Sequence, residues 1–360
     1  MMTKRLFSIS AAFLMVIAAV SARAADGKLD VVVSIKPMHA LVAGVMQGVA
    51  TPHLLLNDQQ SPHHFALKPS QARLLQQADL VFWVDSSLET PMPALLAGLA
   101  PHAKNIRVMA DTGLVLYKNA NWDGADGDDH EGHDDQKEQD NHDDHEGDED
   151  HDSHDSHDGH DGHDRAHRVN PHIWLDLDNA RRMVWSIAAT LSAVDREHAA
   201  IYASNAANLD KRLSALCEEA RQQFAGIRRN SFIVQHDAFI YIERQFDLPR
   251  GLVIAPDHDT PPGTAHLQHL RDLVAAGVVP CIFDEPQGAS RQIDIVAGAS
   301  TVRRATLDAI GVGRPAEPDL FFDLMRANYS AYKRVLLARL HISRLIWRPL
   351  KFDQRLFRQS

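Results

Sequence analysis

Cysteine is scarce in this 360-residue chain, which contains only Cys217 and Cys281. A disulfide framework is therefore excluded, and the two residues form either a single bridge or two buried thiols. Long apolar runs are also missing after residue 20, because no later window approaches twenty uninterrupted apolar residues. The rest of the chain is therefore predicted not to span a membrane.

The amino terminus has the order of segments that is typical of a secretory signal peptide. Lys4 and Arg5 precede an apolar run at residues 6–20, and the small-residue triplet Ala22-Arg23-Ala24 follows it. We expect residues 1–24 to be a signal peptide that is removed on export. No cysteine near the cleavage point could carry a lipid anchor, so the expected product is a soluble periplasmic protein.

Residues 123–168 consist almost entirely of Asp and His, with a few Gly, Ser and Glu. They hold ten of the 22 histidines and carry a charge of −17, although the whole chain carries only −11. Such a segment cannot bury enough apolar surface to fold, so we predict a disordered loop. Interleaved imidazoles and carboxylates favour weak, interchangeable binding of divalent cations, and the alternative is a solvated linker.

Strand and helix patterns alternate on both sides of one long helical stretch. A buried strand is predicted at residues 29–35, and further strands at 54–56, 78–84, 106–109, 231–235, 251–255, 278–283 and 304–308. Among the helices, one is predicted at residues 39–48, and Ser70 and Asp178 are predicted to cap the helices that follow them. This alternation predicts two α/β lobes, each with a mainly parallel sheet, joined by one long rigid helix. The expected division is an N-terminal lobe at 25–194, the linking helix at 195–226, a C-terminal lobe at 227–332 and a basic extension at 333–360.

Three histidines and one acid stand at equivalent places, just beyond or at the carboxyl ends of strands. They are His63, His172, His236 and Asp308. Ligands of open α/β sheets bind at that edge. Three imidazoles and one oxygen make a tetrahedral zinc set, so the sequence predicts a metal site in the cleft between the lobes.

Several motifs occur together in the order found in one family. They are SPHHFALKPSQARLLQQADLVFWV, NPHIWLD, the His/Asp stretch, the long helix, QHDAFIYIERQF, CIFDEPQ and TLDAIG. Over residues 29–332 the chain resembles the zinc-specific solute-binding proteins of ABC importers, a branch of the cluster A-I metal-binding proteins. The resemblance implies that His63, His172 and His236 bind the metal, and the histidine at the third position favours zinc over manganese or iron.

Two positions depart from patterns known in this family. Some zinc members have a Glu just before the first histidine, where this chain has Pro62, which leaves Asp308 or water as the fourth ligand. Members with a disulfide pair the counterpart of Cys281 with a cysteine near the carboxyl terminus, where this chain has Tyr332. The usual partner of Cys281 in that bridge is therefore missing here.

The resemblance implies a periplasmic, monomeric, non-enzymatic protein that captures Zn²⁺ and delivers it to the membrane permease of an ABC importer. The permease would provide peripheral contact with the inner membrane, and no nucleic-acid partner is expected. One alternative is a zinc buffer that acts through the His/Asp-rich loop. The other is a secreted zinc hydrolase, but no HExxH occurs, and no motif places Glu243 or Glu285 as a general base.

Two further features have both a functional and a purely structural interpretation. His266 and His269 form either a minor metal site or a solvent-facing pair. The extension at 333–360 has eight Lys or Arg against one Asp, so it contacts a membrane or nucleic acid, or it is a partly helical tail.

Overall fold

The computed structural model describes residues 29–58, 60–119, 169–227, 230–256, 261–287 and 290–337. The predicted signal peptide, the His/Asp-rich stretch and all but the first five residues of the basic extension lie outside these ranges. Within them, no helix combines the length and apolar character needed to cross a membrane.

The first lobe contains one four-stranded sheet. Its elements are β1 (Val31–Val33), α1 (Lys36–Val45), β2 (His53–Leu54), α2 (Pro69–Gln77), β3 (Leu80–Trp83), α3 (Met92–Leu99) and β4 (Lys104–Arg107). The strand order is β2-β1-β3-β4, and every pairing is parallel. Strands β1 and β3 are fully buried because helices cover both faces of such a sheet.

Prolines set the start of two helices in this lobe. Pro37 lies in the first turn of α1, where its missing N–H costs nothing, so α1 begins at Lys36 rather than at the predicted His39. Pro69 starts α2 in the same way. The predicted cap at Ser70 is wrong, because the Gln71 side chain instead accepts the Lys68 N–H at 2.7 Å.

Two long helices follow, α4 (Leu177–Val194) and α5 (Ala199–Phe224), after a short 3₁₀ turn at Ile173–Leu175. Asp176 caps α4 by accepting the Asn179 N–H at 2.9 Å, so the predicted cap at Asp178 is wrong. Helix α5 is the predicted linking helix. Its 26 residues correspond to about 39 Å, enough to pass beneath both lobes.

The second lobe repeats the architecture of the first. It contains β5 (Ile233–His236), α6 (Ile240–Gln245), β6 (Leu252–Ala255), α7 (Thr264–Ala275), β7 (Cys281–Asp284), α8 (Ser290–Ala297), β8 (Arg303–Thr306) and α9 (Leu320–Leu336). The strand order is β6-β5-β7-β8, again parallel throughout. The prediction of two parallel α/β lobes is confirmed.

One hydrophobic core extends through both lobes. It includes Val32 and Phe82 of the first sheet, Leu213 of α5, and Phe232 and Tyr332 of the second lobe. Helix α9 also packs against α1, α5 and β8. Because these lobes share buried apolar surface, a wide hinge opening would expose core residues to water. Both cysteines are buried and free.

Glu89 is a fully buried carboxyl group just after β3. Its Oε2 accepts the Val84 N–H at 2.7 Å, and burial raises the pKa of Glu89 to about 7. The unfolded chain titrates lower, so the folded protein holds more protons between these two pKa values. The stability that the protonated Glu89 contributes should therefore be fully present at low pH and be lost as pH rises through about 7.

We expect Glu89→Gln to remove this loss, because the amide oxygen keeps the contact with the Val84 N–H without ionising. Relative to the parent, the variant should gain on the order of 2–3 kcal/mol in unfolding free energy between pH 5 and pH 8. Urea denaturation at both pH values measures this difference. The exposed Glu197, changed to Gln, is the control and should show no such trend. Parallel pH profiles for parent and Glu89→Gln would contradict the assignment.

Candidate metal centre

His63 lies in the loop between β2 and α2, and it is half-buried. Its backbone N–H donates to the Ser61 Oγ at 3.2 Å, across the buried Pro62. Parallel strands place their following loops at one edge of the sheet, so this histidine faces the second lobe.

His172 is buried, and Asn170 orients it. The Asn170 Oδ1 accepts the His172 backbone N–H at 3.0 Å and lies 3.0 Å from the ring Nδ1. The orientation of this amide follows from its other end, where Nδ2 donates to the Asp237 carbonyl. The atom facing Nδ1 is thus an acceptor, so Nδ1 holds the proton and Nε2 presents its lone pair.

His236 is the last residue of β5, and the acid that orients it comes from the adjacent strand. Glu285 directly follows β7, which pairs with β5. Its Oε1 lies 2.6 Å from the His236 Nδ1 and also accepts the His236 backbone N–H at 3.2 Å. Both side chains are almost completely buried, with 2% and 3% exposed. The carboxylate keeps the proton on Nδ1, so Nε2 of this ring also carries a lone pair.

The three imidazoles meet between the lobes. Their candidate ligand atoms all lie within 4.8 Å of one another. Ring centroids are separated by 5.7 Å for His63 and His172, 6.1 Å for His63 and His236, and 5.1 Å for His172 and His236. The shortest approach is 3.3 Å, between Nε2 of His172 and Nε2 of His236. Two lone pairs face each other there, an arrangement that a bound cation relieves.

Asp308 lies outside this group of mutually close ligand atoms. Its Oδ1 accepts the N–H groups of Ile310 at 3.0 Å and Gly311 at 2.8 Å, and burial raises the pKa of Asp308. The Asn328 side chain holds the Asp308 backbone at both its N–H and its carbonyl. The four-ligand set with Asp308 therefore stays a prediction.

The positioning groups were missed or misread from the sequence. The sequence suggests Glu285 only as a general base and Asn170 only as part of a motif. The available signal is their position, because Asn170 is two residues before His172 and Glu285 directly follows β7, the strand beside β5. His266 of α7 lies 2.9 Å from the Val253 carbonyl through its Nε2, so this ring helps to attach α7 to β6.

Known proteins resemble the chain over nearly all of its described length. The family model for the zinc-uptake complex component A, periplasmic (ZnuA), matches residues 31–335. This chain belongs to the ZnuA family. The high-affinity zinc uptake system protein ZnuA of Brucella abortus (strain 2308) is 37% identical over 306 residues, covering 85% of this chain and 91% of that protein. The ZnuA protein of Paracoccus denitrificans (strain Pd 1222) is 37% identical over 297 residues, covering 82% and 88%.

A solved crystal structure of ZnuA has the same fold. It superposes with a TM-score of 0.66 at 18% identity and covers 86% of this chain and 99% of that one. ZnuA-family membership places the chain among the periplasmic binding components of zinc importers, and not among enzymes. The prediction from the sequence motifs that the chain is the binding component of a zinc importer is confirmed.

Glu285 offers a test of the metal centre that leaves the three histidines in place. Glu285→Gln should weaken zinc binding by about tenfold, because the negative charge beside the His236 ring, which would help to stabilise a bound cation, is lost. Competition with a chelator of known affinity measures this change. Glu218→Gln, an exposed change on α5, is the control. An unchanged affinity in Glu285→Gln would show that the carboxylate does not tune the site.

Proposed function

We propose that His63, His172 and His236 bind Zn²⁺ between the lobes, and that the protein delivers this ion to the membrane permease of an ABC importer. The observation that carries the proposal is the 3.3 Å separation of the His172 and His236 Nε2 atoms. In a tetrahedral zinc site with zinc–nitrogen distances of about 2.0–2.1 Å, two ligand nitrogens lie about 3.3–3.4 Å apart. The relatives named above are zinc uptake proteins, which supports the same cargo.

The chemistry of the three donors fits zinc. Neutral imidazole nitrogens suit this borderline cation better than they suit manganese or magnesium, which prefer oxygen ligands. Each of the two buried rings has an acceptor at Nδ1, which fixes the tautomer that ligates through Nε2. A bound ion would therefore require little rearrangement of His172 and His236.

The fourth ligand is Asp308 or water. The Asp308 Oδ1 already accepts two backbone N–H groups, which favours water. The burial of the Asp308 carboxylate favours Asp308 as the fourth ligand, since a nearby cation would stabilise its ionised form.

Lobe motion on binding is proposed to be small, because the core is shared and α5 is a continuous helix. We retain the proposed division into lobes at 25–194 and 227–332 around a linking helix at 195–226, with α5 occupying most of that last range. The protein is proposed to act as a monomer in the periplasm and to contact the inner membrane only through the permease. Residues 1–24 would direct export and be removed.

Zinc hydrolysis requires a general base beside the metal-bound water. Glu285 faces the His236 Nδ1 at 2.6 Å, and Glu243 is paired with Arg250 at 2.7 Å. Both carboxylates thus have structural partners, which supports transport over hydrolysis. A buffer that acts through residues 123–168 would not need the cleft histidines at all.

His63→Ala should abolish the single tight zinc-binding event, because it removes one of three nitrogen donors. Deleting residues 123–168 should leave that event intact, since the cleft ligands lie outside the deletion. Calorimetric zinc titration of the mature protein and both variants measures this. His64→Ala is the matched control, because His64 is the adjacent, exposed histidine of the same loop. If tight binding survives His63→Ala and is lost with the deletion, the buffer replaces the importer as the better function.

Asp308→Asn tests whether Asp308 is the fourth ligand. The variant loses the negative charge, but its neutral amide still accepts the N–H groups of Ile310 and Gly311. Zinc binding is expected to weaken, because the negative charge near the cation is lost. A fall in affinity of about a hundredfold or more would match loss of a ligand, whereas less than about tenfold would match water in that position. Stronger zinc binding in Asp308→Asn would contradict both arrangements. Chelator competition gives the affinities.

A further inference from the structure

Lys36 is a buried cation that the proposed metal centre does not use. Only 7% of its side chain is exposed. It is also the first residue of α1, where the positive end of the helix dipole disfavours a positive charge. Burying an ammonium group in such a place requires compensation from several acceptors.

Three acceptors provide this compensation, and two of them belong to the other lobe. The Lys36 Nζ pairs with the Asp58 carboxylate, which is in the first lobe. It also donates to the Gly311 carbonyl at 3.2 Å and the Arg314 carbonyl at 2.7 Å, both in the loop between β8 and α9. All three ammonium protons therefore have acceptors, and the charge links the lobes.

Other side chains of the first lobe bind the same loop. The Asp58 Oδ2 accepts the Gly313 N–H at 3.0 Å, and the Trp174 Nε1 donates to the Ala309 carbonyl at 2.8 Å. Gly313 has a φ of +75°, a conformation that glycine adopts without strain. Segment 308–314 is thus held through its backbone at several points, independently of its side chains.

The contact lies beside the loop that carries His63, because Asp58 and Pro62 line the same cavity. Asp58 is five residues before His63, and Gly311 is three residues after Asp308. Lys36, Pro62 and Ile310 line this cavity, whose volume of about 10 Å³ is no larger than one water molecule. The two chain segments are therefore packed together with little room for movement between them.

We propose that Lys36 and Asp58 form an interlobe clasp that holds segment 308–314 against the His63 loop and thereby limits the rate at which zinc enters and leaves the cleft. This inference rests on the proposed function. The partners of the Lys36 ammonium are Asp58, Gly311 and Arg314 and not the candidate ligand atoms, so Lys36 acts as a positioning residue. When the lobes part, water replaces the two carbonyls, so the contact favours the closed arrangement without making it permanent.

A clasp and a ligand leave different kinetic signatures. An ion passes the same opening on entry and on exit, so weakening the clasp should raise both rate constants by a similar factor. The dissociation constant, which is their ratio, should then change little. Loss of a ligand or of its orientation instead raises the dissociation rate constant with little effect on association.

The test is Lys36→Met, which keeps the length of the side chain and removes its charge. Stopped-flow release of zinc to excess chelator should become about tenfold faster, in line with loss of charge-assisted hydrogen bonds. Association, measured by competition with a fluorescent zinc indicator, should accelerate by a similar factor, and the dissociation constant should stay within about threefold. Lys104→Met is the matched control, because Lys104 is exposed at the start of β4, the end of the sheet away from the cleft.

Asp58→Asn provides a second, milder variant that still accepts the Gly313 N–H. It should move both rates in the same direction by a smaller factor, and it serves as the test if Lys36→Met does not fold. Unchanged rates in folded variants, or faster release with unchanged association, would overturn the clasp. His63→Ala separates this failure from that of the proposed function: if it keeps tight zinc binding, the metal centre itself is wrong, whereas its loss of binding leaves only the clasp in question.

Discussion

The Nε2 atoms of His172 and His236 lie 3.3 Å apart with their lone pairs facing each other. Much of the surrounding structure maintains this distance. Asn170 and Glu285 each place an acceptor at the opposite nitrogen of one ring, so neither ring relieves the contact by changing tautomer. Both acceptors are themselves buried, which strengthens their electrostatic effect. Hydrogen bonds of the protein itself therefore orient both rings, so little binding energy is consumed in orienting them.

That preorganisation depends on a fixed relation between the lobes. His63 and His172 belong to the first lobe and His236 to the second, so a relative shift of about 1 Å would change the distances between donors by half a zinc–nitrogen bond length. The shared core, the continuous helix α5 and the packing of α9 on α1 oppose such shifts. Polar contacts across the cleft also fix the orientation of one lobe relative to the other, because the Trp174 indole and the Lys36 ammonium each bind carbonyls of segment 308–314.

The sequence predicted the parallel strands, the long helix and the three histidines because these depend on local patterns. β-branched runs such as Val31–Val33 indicate strands, and a histidine at the end of one must lie at the ligand-binding edge. The roles of residues that depend on tertiary contacts could not be predicted from the sequence. Glu285 orients His236 only because β5 pairs with β7, and the buried Lys36 ammonium is fully hydrogen-bonded only because a loop 275 residues away supplies a carbonyl acceptor. The predicted caps at Ser70 and Asp178 are wrong because both helices begin earlier, at Pro69 and Leu177, which places these two residues inside the first turn.

The three histidines differ in burial, and this difference would give the exchange of the proposed ion a direction. His172 and His236 are 4% and 2% exposed, whereas His63 is half-buried on a loop beyond β2. Water therefore reaches the His63 side of the centre first, and an incoming chelator or permease group would displace that ring before the other two. Asp58 lies at the start of the same loop and binds the Gly313 N–H of the other lobe. The most accessible donor and the interlobe contact thus share one short chain segment, so an interaction that moves this segment would loosen the metal and the lobes together.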